Sequence, residues 1–403
     1  MSSLVALRQA LTSTQPSGAR SAPDFLAALR RVWEAGDAVL PLPVTLPEPE
    51  VERLLAELRP SRVLSETGER PLPDGVPVDD GTALVVPTSG TTGAPKGVVL
   101  THAQLRASAM ATAARLGTGA GDRWLCCVPP SHIAGLMVLV RSALAGSEPI
   151  LHPRFDVGAI AAETSAALVS LVPTMLRRLL AAGVDVARFR WILLGGGPIP
   201  PSLVAEAEAA GAHIVTTYGM TETCGGVVYD GHPLPGVRVA VEDGEIRLSG
   251  PMVMSGYRLR PTETAAVLQD GWFRTADAGE LEPGGRLRVL GRRDDLIVTG
   301  GEKVAPVEVA TVLGEHPRVA EAAVVGQPDP EWGQAVVAIV APLAGADPPS
   351  LADLRAFVSE RLAHYKAPRH LVVVPELPRG PTGKPVGLRE LAERALAERG
   401  LAE

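Results

Sequence analysis

Residues Thr82–Gly97 read T-A-L-V-V-P-T-S-G-T-T-G-A-P-K-G, a run of apolar residues that turns abruptly into glycine, hydroxyls and one cation. T-A-L-V-V-P-T suits a buried strand. Gly90 and Gly93 let the backbone bend sharply, so that successive amide N–H groups can face an anion. Thr88, Ser89, Thr91 and Thr92 add hydroxyl donors, and Lys96 adds a point charge for polyphosphate oxygens. A Gly-Ser-Thr cluster alone is commonly a polar surface loop. Twelve residues in this order, from Val86 to Gly97, following a strand and preceding a helix, point instead to a phosphate loop. It is not a Walker loop, which requires G-x-x-x-x-G-K-[ST]; here Pro95 precedes Lys96 and Gly97 follows it.

Outward from this loop, short apolar strands alternate with helical stretches. His102–Leu116 reads as a helix, R-W-L-C-C-V-P-P as a strand, and the segment after Ser131 as another helix. A-A-L-V-S-L-V-P-T, R-W-I-L-L-G-G-G-P and H-I-V-T-T-Y-G-M are further strands ending in loops. Before the loop, residues 24–35 and 49–58 carry helical spacing around a proline-rich connection. This alternation argues for an α/β fold with a parallel sheet covered by helices. After Pro233 the texture changes. G-V-R-V-A-V-E-D-G-E-I-R-L-S-G and G-R-L-R-V-L-G-R-R-D-D alternate with period two around Asp-Gly and Gly-Gly turns, which predicts antiparallel hairpins or a small barrel. From Asp294 a compact α+β segment follows. The expected division is a large domain over 1–293, β-rich over about 233–293, and a small α+β domain over 294–403.

The chain has 403 residues, more than one core usually supports. Apolar residues make up 46% and charged residues 21%, with a net charge of −7. No dense basic run marks a nucleic-acid binder. Cys126, Cys127 and Cys224 do not form a disulfide framework or a zinc pattern. The apolar run from Ile133 to Leu144 is interrupted by Arg141 and is too short to span a bilayer. A soluble cytoplasmic enzyme is expected, with neither nucleic acid nor membrane as partner.

T-S-G-T-T-G-A-P-K-G resembles the signature loop of the adenylate-forming superfamily, which includes acyl-CoA synthetases, adenylation domains and luciferases. Four further segments follow in the family's order: Tyr218–Glu222 (Y-G-M-T-E), Phe273–Asp277 (F-R-T-A-D), Gly291–Asp294 (G-R-R-D) and Pro381–Lys384 (P-T-G-K). Together they span most of the chain, from Thr82 to Leu388. The resemblance implies the adenylate-forming fold, with a small β-barrel in the large domain and a mobile C-terminal domain. It implies ATP, Mg²⁺ and coenzyme A as ligands, and homodimerisation as a family-based expectation.

The resemblance also assigns roles. Glu222 holds Mg²⁺, Thr221 touches the α-phosphate, and Tyr218, next to Gly219, stacks on adenine. Gly195, Gly196 and Gly197 form a bare loop that a flat group can approach. Asp277 accepts from the ribose hydroxyls, although Ala276 replaces the family's usual glycine, and Arg292 is a second ribose or phosphate contact. Asp294 is the hinge. Lys384 bridges the carboxylate and the α-phosphate, and Gly300 and Gly301 leave room for the pantetheine arm of CoA.

Only 87 residues precede Thr88, so the first subdomain is short for this family. That, with stretches such as P-P-S-H-I-A-G-L-M-V-L-V-R-S-A-L and D-P-E-W-G-Q-A-V-V-A-I-V, resembles the compact o-succinylbenzoate–CoA ligases of menaquinone biosynthesis. Their substrate keeps one free carboxylate, and a buried anion needs a cation or several donors. Arg141, on one helical face with Ala134 and Met137, is the expected partner, against a packing role for a snorkelling arginine. His132 and Thr174 are expected to line the acid pocket, and Cys224 to pack. The alternatives are a ligase for another aryl or short acyl acid, an adenylation enzyme loading a carrier protein, and a nucleotide-binding regulator.

Overall fold

The computed structural model describes residues 1–9, 25–88, 95–379 and 385–398. Four sheets build it. In the first, Leu4–Arg8 lies inside the sheet and runs parallel to Ala38–Pro41 and Arg62–Ser65. Thr82–Thr88 lies parallel to Ala38–Pro41 on its other side. The short N-terminal segment is thereby completed from later parts of the chain, because Gly256–Tyr257 adds the far edge strand.

Both faces of this sheet are covered, and the sequence shows it as an unbroken apolar run rather than an alternation. Val5 and Leu7 join the core shared with helix Phe25–Glu34, while Leu4 and Ala6 join the one under helix Glu48–Leu58.

The second sheet is the expected parallel one. Ile150–Leu151, Trp124–Cys126, Leu168–Leu171, Trp191–Leu194 and Ile214–Met220 pair in parallel, and Gly225–Tyr229 and then His232–Pro233 extend one side antiparallel. Helices His102–Leu116 and Ile133–Ala145 fill the space between this sheet and the first.

The phosphate-loop region differs from the expectation. The loop does not pass directly into a helix; Thr82–Thr88 and Lys96–Thr101 pair antiparallel, with Thr88 opposite Lys96. After Gly97 the sequence V-V-L-T is β-branched and apolar, so it continues the sheet. Only at Thr101 does a capping box with Gln104 start the helix.

The β-rich region is a five-stranded antiparallel sheet ordered Arg238–Glu242, Glu245–Ser249, Trp272–Leu281 and Leu268–Gln269, with Leu287–Arg292 also on Trp272–Leu281. Its first hairpin turns through Asp243 and Gly244, both at positive φ (50° and 75°), as a two-residue turn of this hand demands.

The fourth sheet pairs Val319–Asp329 with Gly333–Pro342. Val336, Ala338 and Val340 face helices Pro306–Gly314 and Leu351–Ser359, while Val337 and Ile339 face helix Leu388–Ala397. Among the described residues no helix is long and apolar enough to cross a membrane.

Candidate active site

The carboxyl ends of parallel strands are where open α/β sheets hold ligands. Here Leu171, Leu194 and Met220 end at one edge, and Pro173–Thr174, Gly195–Gly197 and Thr221–Glu222 follow them. Close packing requires two of the glycines. A Cβ on Gly195 would sit 2.2 Å from Thr217 Oγ1, and one on Gly219 would sit 2.0 Å from the Gly225 carbonyl oxygen.

Tyr218 and Asp277 meet across sheets: the tyrosine hydroxyl donates to Asp277 Oδ2 at 2.8 Å. Arg292 donates to Asp277 Oδ1 at 3.1 Å, because the two residues are register partners on neighbouring strands. Burial pushes the Asp277 carboxyl up, and the Tyr218 and Arg292 hydrogen bonds oppose that.

Ala276, where the family usually has glycine, stands at φ 58°, a strained position for a residue with a Cβ. Its amide donates to Glu245 Oε1 at 3.3 Å. Glu245 is buried and also pairs with Arg274 at 3.0 Å and with Arg293 at 3.2 Å. One carboxylate therefore ties the turn before Asp277 to the turn that holds Asp294. Asp294 lies in the short Arg293–Asp295 turn, and its carbonyl accepts from Arg389 at 2.9 Å.

Glu222 follows Met220 in a single 3₁₀ turn, which Thr223 fixes by accepting from the Met220 amide at 3.0 Å. Glu222 Oε1 accepts from the Tyr257 hydroxyl at 2.9 Å, and the Lys96 ammonium lies 5.0 Å from the centroid of the same tyrosine ring. Burial, then the Glu222 charge, raises the Tyr257 phenol, which keeps it a donor.

No cluster of three or more His, Cys, Asp or Glu side chains suited to a metal exists among the described residues. A single carboxylate, Glu222, nevertheless fits Mg²⁺, which binds through one or two carboxylates and completes its shell with water and substrate phosphates.

Ser89, Gly90, Thr91, Thr92, Gly93 and Lys384 lie outside the described residues. The chain on either side of Lys384 is joined by a bridge between Arg379 and Pro385 and by Val386 N donating to the Pro378 carbonyl at 3.0 Å. His132 is exposed at the start of helix Ile133–Ala145, and Thr174 is exposed at the start of helix Pro173–Ala181.

Arg141 packs against the sheet. It is buried, stacks on Trp124 with its guanidinium carbon 5.1 Å from the ring centroid, and its Nε bonds no group among the described residues. Trp124 begins its strand, so Arg141 sits toward the end of the sheet away from the strand-end crevice. At the usual rise per residue it lies about 13 Å along the helix from His132. The helical period identifies a shared face but not a shared height along the helix.

A Cβ on Gly300 would stand 2.9 Å from the Trp332 ring, while Gly301 faces open space. Cys224 is fully buried, and burial raises its thiol, as a packing residue requires.

The model of the AMP-binding enzyme family matches residues 69–258, and that of the AMP-binding enzyme C-terminal domain matches residues 308–384. A probable 2-succinylbenzoate–CoA ligase of Mycobacterium tuberculosis is 44% identical over 383 residues, covering 92% of this chain and 94% of that protein. The chain belongs to the AMP-binding enzyme family. The 2-succinylbenzoate–CoA ligase of Bacillus subtilis is 36% identical, over 88% of this chain and 78% of its own length.

Among solved structures, the o-succinylbenzoate CoA synthetase of Bacillus subtilis in complex with its acyl-adenylate intermediate superposes with a TM-score of 0.83 at 32% identity. That match covers 96% of this chain and 87% of the other. ATP-bound MatB of Rhodopseudomonas palustris gives a TM-score of 0.84 at 25% identity, covering 97% and 88%. Two contact clusters result: Tyr218 and Arg292 both bond Asp277, while Glu222 and Lys96 both meet Tyr257. Tyr257, Arg258 and Glu245 were not singled out by the sequence. The only signal for them is the segment E-I-R-L-S-G-P-M-V-M-S-G-Y-R itself, which reads as ordinary strand and loop.

Proposed function

We propose that this enzyme ligates o-succinylbenzoate to coenzyme A in two steps, through an acyl-adenylate, as a step of menaquinone biosynthesis. The 44% identity to a probable 2-succinylbenzoate–CoA ligase over nearly the whole chain carries this reading, and the Lys96–Tyr257–Glu222 and Arg292–Asp277 contacts support it.

In the first step a carboxylate oxygen of the acid attacks the α-phosphorus, and the bond to pyrophosphate breaks. Asp277 and Arg292 hold the ribose side and Tyr218 the base. Lys96 and the phosphate loop steady the polyphosphate, and Lys384 neutralises charge growing at the α-phosphate. Glu222 would hold Mg²⁺, which would supply charge to offset the phosphates. In the second step the CoA sulfur attacks the acyl carbon; the thioester forms, AMP leaves and the thiol proton is released. Asp294 is proposed as the hinge for the change of pose between the steps, with domains over 1–293 and 294–403. His132 and Thr174 are proposed to face the acid, Gly301 the pantetheine arm, and Arg141 to support the sheet through Trp124.

Omitting CoA separates the steps. With ATP, Mg²⁺ and o-succinylbenzoate alone, the enzyme is expected to release pyrophosphate and retain a mass equal to the acyl-adenylate. Adding CoA then converts that species to the thioester. Thioester formation with no adenylate accumulating, and no exchange of labelled pyrophosphate into ATP, would sink the two-step reading.

A further inference from the structure

The two residues best placed to manage the phosphates come from motifs more than a hundred residues apart, and one side chain touches both. The geometry points to Tyr257 as a positioning residue: its hydroxyl fixes the Glu222 carboxylate while its ring carries the Lys96 ammonium. The proposal rests on the roles given above to Lys96 and Glu222.

The backbone around Tyr257 is held on every side. Tyr257 pairs with Val98 and Gly256 with Val99, two and three residues past Lys96 on the same strand. Its amide donates to Thr264 Oγ1 at 2.9 Å. The next residue, Arg258, donates its amide to the Gly97 carbonyl at 2.7 Å, and its guanidinium to the carbonyls of Leu58, Arg59, Val76 and Pro77. The ring is thus fixed to the strand that leaves the phosphate loop. It moves with Lys96, and Glu222 is brought to it.

The hydroxyl bonds Oε1 only, and no group among the described residues bonds Oε2. One carboxylate oxygen is oriented and the other is presented, which is how a partner outside the metal's own shell aims a ligand. The ring face meanwhile holds the lysine on the side chain that bonds the carboxylate, and an aromatic face attracts a cation but removes no charge.

Two substitutions separate the two contacts. Tyr257→Phe keeps the ring and loses the hydroxyl. The Mg²⁺ concentration for half-maximal tightening of ATP binding, read by calorimetry, is expected to rise about tenfold, as loss of such a partner typically does. ATP binding without Mg²⁺, and AMP binding, should match wild type. Tyr257→Leu loses the ring as well, and should further weaken Mg²⁺-free ATP binding by about threefold, in proportion to a partly exposed cation–π contact. AMP, which lacks the outer phosphates, should bind it unchanged, which also shows that it is folded. A wild-type Mg²⁺ response in Tyr257→Phe overturns the hydroxyl's role, and equal Mg²⁺-free ATP binding by the Phe and Leu variants overturns the ring's. Glu222→Gln run alongside tells the two levels apart. If it shifts the Mg²⁺ response and Tyr257→Phe does not, the positioning proposal alone fails. If neither shifts it, the assignment of Glu222 to the metal fails with it.

Discussion

Lys384→Ala is expected to lower ATP–pyrophosphate exchange by about a hundredfold to a thousandfold, the usual consequence of removing one preorganised group aimed at developing charge. The reason lies in where charge grows. As the acid's carboxylate attacks, negative charge accumulates on the α-phosphate oxygens while two anions are forced together. A cation that reaches both stabilises that arrangement more than either reactant alone, and only such a difference accelerates the step. The second step makes no such demand, since the thiol attacks an acyl carbon already activated by AMP. Thioester formation from preformed acyl-adenylate should therefore stay near the wild-type rate. The bridge between Arg379 and Pro385 and the contact from Arg389 to the Asp294–Asp295 turn belong to the flanking chain, so an alanine at 384 leaves that frame intact. Equal losses in both half-reactions would contradict this division of labour.

Arg258→Met is expected to destabilise the protein by about 2–4 kcal/mol, read as a shift of the urea midpoint at unchanged slope. Arg258 is only 6% exposed, yet it carries a charge into the seam between the first sheet and the loop before Thr82. Burial, then the nearby Arg59, lowers its guanidinium to about 10, so it remains a cation at neutral pH. Four carbonyls accept from it, those of Leu58, Arg59, Val76 and Pro77, on segments that are otherwise joined to this strand by few backbone bonds. Methionine fills much of the volume but donates nothing, and leaves the acceptors facing an apolar chain. The same substitution should loosen Tyr257 and raise the Mg²⁺ requirement, while Arg59→Ala, which leaves that backbone carbonyl in place, should do neither. A midpoint equal to wild type would show that water or a shifted side chain satisfies those carbonyls.

The parts of this molecule that the sequence discloses are those with a local cause. Asp243–Gly244 supplies the positive φ that its hairpin needs, and Thr101 with Gln104 marks a helix start three residues apart. Glu222 and Asp277 follow from short motifs in a fixed order. What the sequence conceals depends on distant pairing. The strand Lys96–Thr101 is held between Thr82–Thr88 and Gly256–Tyr257, the latter about 160 residues later in the chain, so nothing near V-V-L-T announces its second neighbour. Arg258 bonds backbone carbonyls, which every residue possesses, so no partner residue type gives it away. For Arg141 the helical face is legible, but its place along the axis depends on which end of Trp124–Cys126 the helix passes.

The most direct measurement of the central claim is the rate of CoA-thioester formation by the wild-type enzyme with o-succinylbenzoate, benzoate, 4-phenylbutyrate and acetate under one set of conditions. A site built around an acid with a second carboxylate leaves polar groups unpaired when that carboxylate is missing. The expected result is therefore a kcat/KM for o-succinylbenzoate at least about a hundredfold above each monoacid. Equal or faster turnover of any monoacid would leave the adenylation chemistry standing and contradict the substrate.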